Sequence, residues 1–140
     1  MNFDAHISSL TFAHQFEISI VDAGGRSIRA VTDGGIIVSF GQCLMDDRCS
    51  PFEIHAEAVV ALYHALKVPS KIQSIGLEES DLLIDFEGGL SIRMFGSAGY
   101  ESWRVFQADW GLEVVGCYPG NEVAWRGDGE LPWTGWFETR

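Results

Sequence analysis

The chain has 140 residues, 46% of them hydrophobic, which fits one domain (residues 1–140) around one core and excludes wholesale disorder. Nine basic residues face 20 acidic ones, and the formal net charge of -11 sets up a field that repels nucleic acid and anionic membrane surfaces. No stretch approaches the run of about 20 apolar residues that a membrane helix needs, and Met1 to His6 lacks a basic segment followed by an apolar one, so the expectation is a cytoplasmic protein without a membrane partner.

In chain order, Gln15 to Asp22 reads as a strand with Phe16, Ile18 and Ile20 on one face. Ala23-Gly24-Gly25 is a tight turn, and a second strand runs from about Arg26 to Val31. Asp33-Gly34-Gly35 reads as a further turn before a third strand, Ile36 to Phe40. The clearest local signal follows. Ser50-Pro51-Phe52-Glu53 has the pattern of a capping box, with the Ser hydroxyl facing the third-residue amide and Pro where no amide hydrogen is needed. Phe52, Ala56, Val59, Tyr63 and Leu66 recur at helical spacing, and Pro69 ends the segment, so a helix is expected over about 51–67. Its stripe is expected against Val38, Phe40, Ile84 and Phe86.

After Pro69 the pattern returns to strands: Ile72 to Leu77, Leu82 to Phe86, Leu90 to Met94, Tyr100 to Gln107, Leu112 to Cys117 and Glu122 to Trp125. The turns between them are Glu78 to Asp81, Glu87-Gly88-Gly89, Ala108 to Gly111 and Pro119-Gly120-Asn121. A weak internal repeat relates Val31, Asp33, Ile36 to Val38 and Phe40 to Ile75, Asp81, Leu82 to Ile84 and Phe86, as two like hairpins. The resulting expectation is an α+β fold: a mainly antiparallel sheet of hairpins and meander, with the helix 51–67 packed on it.

Chemistry is hard to find in the residues. His55-Ala56-Glu57 has the opening of a zinc deaminase signature, but the only later cysteine is Cys117, so the ligand set is incomplete. His55 and His64 are nine residues apart and point to different sides of a helix. Cys43, Cys49 and Cys117 read as reduced thiols. No nucleophile elbow, phosphate loop or dinucleotide fingerprint occurs. The expectation is no catalytic centre, no metal and no cofactor. In Tyr100-Glu101-Ser102-Trp103, Glu101 shares a strand face with Trp103 and reads as a buried acceptor for a backbone or indole N–H.

The stretch Leu82 to Arg126 resembles a family of small bacterial domains of uncharacterised function, through Asp85-Phe86-Glu87-Gly88-Gly89, Tyr100-Glu101-Ser102-Trp103, Val114-Val115, Pro119-Gly120 and Ala124-Trp125. In size, acidity and aromatic content the chain is similar to the immunity proteins encoded beside bacterial polymorphic and contact-dependent toxins. That resemblance implies a non-enzymatic, cytoplasmic protein that blocks a toxin domain, and the acidity of the chain implies a basic partner. The residues first expected at the contact are Asp46, Asp47, Glu78, Glu79 and Asp81, with Trp133 and Trp136 as apolar anchors. A homodimer is left open, and the alternative reading is a ligand-binding or scaffold domain without enzymatic activity.

Overall fold

The structure, a computed structural model, describes residues 4–12, 16–32, 35–47, 64, 71–96, 102–107, 111–125 and 137–139. These residues form twelve strands: β1 (Ala5–Phe12), β2 (Phe16–Asp22), β3 (Ser27–Thr32), β4 (Ile36–Phe40), β5 (Gln42–Asp47), β6 (Ile72–Glu78), β7 (Asp81–Phe86), β8 (Leu90–Met94), β9 (Trp103–Gln107), β10 (Glu113–Tyr118), β11 (Glu122–Trp125) and β12 (Phe137–Thr139). They make two six-stranded sheets, ordered β1-β2-β3-β9-β10-β11 and β12-β6-β7-β8-β4-β5. Every pairing is antiparallel except that of β12 with β6.

Period-two alternation explains this architecture. In β2, Phe16, Ile18 and Ile20 are buried while Glu17 and Ser19 between them are half-exposed. The register carries that face across the first sheet, with Ile18 opposite Ala30, Ala30 opposite Val105, and Val105 opposite Val115. In the second sheet Ile75, Ile84, Ile92 and Val38 lie in one row, and Leu77, Leu82, Met94 and Ile36 in the next. Apart from Val31, the buried hydrophobic residues described in both sheets belong to a single cluster. A shift of register between Glu113 and Val115 places an extra residue in β10, which is why Val114 and Val115 are both buried despite being adjacent.

The α+β expectation is thereby corrected: the described residues are all-β, with no helical element. Of the predicted helix 51–67 only His64 is described, an isolated exposed residue in helical conformation, so the helix itself lies outside the described residues. The capping box is a strong local pattern, but fold class depends on what covers the sheet faces. Here the residues chosen to receive the helix, Val38, Ile84 and Phe86, belong to the cluster that the two sheets share. Phe40, the fourth, lies at the end of β4 and is 52% exposed.

A second correction concerns Asp33-Gly34-Gly35. Asp33 and Gly34 lie outside the described residues, but β3 and β4 on either side belong to different sheets, so this segment connects sheets and closes no hairpin. The proposed repeat of two like hairpins fails for the same reason, since β6 and β7 pair with each other and β3 and β4 do not. Three glycine turns did fall as expected. Gly25, the pair Gly88–Gly89, and Gly120 have positive φ, which costs a residue without Cβ little.

Among the described residues, two polar links join the sheets. The indole N–H of the fully buried Trp103 on β9 donates to the Ser80 carbonyl in the β6–β7 turn at 2.8 Å. At the other end of the fold, His6 of β1 forms an isolated antiparallel bridge with Lys71 just before β6, and the Lys71 ammonium lies 3.5 Å from Asp4.

Candidate functional site

The β6–β7 turn holds three of the acids singled out in the sequence, Glu78, Glu79 and Asp81. A hairpin brings Glu78 opposite Asp81 on the outer face of the second sheet, where two carboxylates would repel each other. Arg93, one strand further on β8, resolves this. Its Nε and Nη2 donate to Asp81 Oδ2 at 2.9 and 2.7 Å, and Nη2 reaches Glu78 at 3.5 Å. Burial works against the Arg93 charge, but the hydrogen bonds and field of Asp81, with Glu78 added, outweigh it and raise the guanidinium pKa above its ordinary value. Asp81 Oδ1 accepts the Gly96 amide at 2.9 Å.

The roles of the three acids therefore differ. Asp81 is committed to holding the turn, and Glu78 shares Arg93. Glu79 is exposed, with no charged partner among the described residues, and its φ of 56° lies in the left-handed region that non-glycine residues seldom occupy. The turn is fixed from beneath as well, through the Trp103 bond to Ser80 and through close packing at Gly96. A Cβ on Gly96 would come within 2.8 Å of both the Cβ and the carbonyl oxygen of Ser80.

Asp46 and Asp47 are described only as backbone positions on β5, opposite Ile37 and Ile36. The register places them at the same end of the second sheet as the turn, because Ile36 pairs with Met94, Met94 with Leu82, and Leu82 with Leu77. Three strand spacings, about 14 Å, separate β5 from β7. Two stretches distant in sequence thus reach one end of one sheet. Trp133 and Trp136 lie outside the described residues.

Charge is distributed unevenly between the sheets. The described segments that build the second sheet carry eight acids (Asp46, Asp47, Glu78, Glu79, Asp81, Asp85, Glu87, Glu138) and two bases (Lys71, Arg93), a net of -6. Those of the first carry five acids (Asp4, Glu17, Asp22, Glu113, Glu122) and three bases (Arg26, Arg29, Arg104), a net of -2.

Two positioning residues escaped the sequence reading. Arg93 was assigned to a strand but given no role; a register counted back from the Gly88–Gly89 turn would have placed it opposite Leu83, beside Asp81. Trp103 was paired in expectation with Glu101. Glu101 lies outside the described residues, and the acceptor for the indole is Ser80, 23 residues away in sequence. Among the described residues there is no group of three or more His, Cys, Asp or Glu side chains placed to hold a metal ion, and Cys117 is buried and outside any disulfide. No described helix is long and apolar enough to cross a membrane.

Comparison of the chain with family models, with curated proteins and with solved structures gives no match.

Proposed function

We infer that this protein works by binding a basic protein at the acidic end of its second sheet and blocking it, as a cytoplasmic immunity protein does for a toxin domain. The observation that carries the binding reading is the charge asymmetry, -6 on the described segments of the second sheet against -2 on those of the first. Such a distribution orients a basic partner toward one side during diffusional approach, where a uniform charge would only attract it. The rigid turn supports it further. Glu79 is presented on a hairpin held by Asp81, Arg93 and Trp103, so little ordering entropy remains to be lost on contact. That the partner is a toxin rests on the similarity of the chain in size, acidity and aromatic content to immunity proteins, an analogy separate from the resemblance of Leu82 to Arg126.

The test is co-expression with the product of the adjacent reading frame, scored for growth rescue and for a complex that survives purification. The association rate is then measured over a range of salt for the native chain and for a Glu79→Lys, Asp46→Lys variant. The expected result is a basic partner whose association rate falls about tenfold in the variant at low salt and converges with the native rate at high salt. Unchanged rate and salt dependence would place the contact elsewhere. Absence of any basic partner, with a small molecule bound instead, would end the blocking reading altogether.

A further inference from the structure

We draw no further inference here: the strongest candidate, the exposed apolar patch of Leu112 and Trp125 at the edge of the first sheet where β10 begins and β11 ends, carries nothing, because nothing in the structure shows what covers it.

Discussion

Replacing Trp103 by Phe tests how the acidic turn is tied to the core. Trp103 is fully buried, and its indole N–H is satisfied by the Ser80 carbonyl at 2.8 Å. Phe removes the donor and leaves that carbonyl without it. Ser80 is half-buried, so water can reach part of the site, and the lost bond costs about 1–2 kcal/mol, toward the lower part of the range for an orphaned buried group. The smaller ring also leaves a void in a close-packed cluster, which adds about 1–2 kcal/mol. The sum is about 2–4 kcal/mol, and with a urea slope of about 1.5 kcal/mol per M the unfolding midpoint should fall by about 1.5–2.5 M. The assay is urea unfolding followed by far-UV circular dichroism, because the chain has five tryptophans and fluorescence would mix their signals. A control, Ser80→Ala, keeps the carbonyl acceptor and should leave most of the stability in place. A midpoint within about 0.3 M of the native one for Trp103→Phe would mean that the bond contributes little and that the turn is held otherwise.

Gly96→Ala should destabilise by about 1–3 kcal/mol, read as a lowered urea midpoint, because the new Cβ meets the backbone carbonyl of Ser80 at 2.8 Å. Asp22 in the β2–β3 turn is pushed up by its burial, but the amide and guanidinium of Arg26 and the amide of Gly24 outweigh that and hold its pKa below the ordinary 3.8. Its contribution is therefore present above that unfolded-state value and is lost as pH falls through the lower folded-state one. Asp22→Asn should lower the thermal midpoint at pH 7 and narrow the gap between midpoints measured at neutral pH and below 3.8. Glu79→Asn should leave stability unchanged or raise it by up to about 1 kcal/mol, since Asn tolerates the left-handed φ of 56° better than Glu. The same change should slow association with a basic partner, measured by stopped flow at low salt.

Strands and their turns were largely legible in the sequence because alternation and glycine placement are local. The pattern of Phe16, Ile18 and Ile20 gave β2, and Glu87-Gly88-Gly89 gave the β7–β8 turn within a residue. Sheet membership was not legible. Nothing in Asp33-Gly34-Gly35 distinguishes a hairpin turn from a crossing between sheets, since both need a chain reversal and both use the same residues. The edge strand β5 was missed because Gln42 to Asp47 ends in two acids and shows little alternation, and β1 because Ala5 to Phe12 is rich in small polar residues. For the candidate site, the acids of the β6–β7 turn were visible as residues, but their separate roles were not. Whether an Asp is a surface charge or the anchor of a turn depends on an arginine 12 positions away and on a strand register that composition does not encode.

The distribution of charge has an energetic side that bears on function. Two like charges about 10 Å apart in water repel by a few tenths of a kcal/mol before screening, and crowding many of them on one sheet multiplies the pairs. The described segments of the second sheet collect eight acids against two bases, and one of those bases, Arg93, serves two acids at once. Solubility alone does not call for such crowding, because the same acids spread over both sheets would give the same net charge at lower repulsion. The described segments of the first sheet carry five acids against three bases, so their charge is more nearly balanced. A fold that tolerates repulsion on one sheet has an electrostatic term that a bound partner would relieve, negative charge meeting a basic surface there. That is why the assay proposed for this surface reads salt dependence, a quantity that a purely structural role for these residues would leave unmoved.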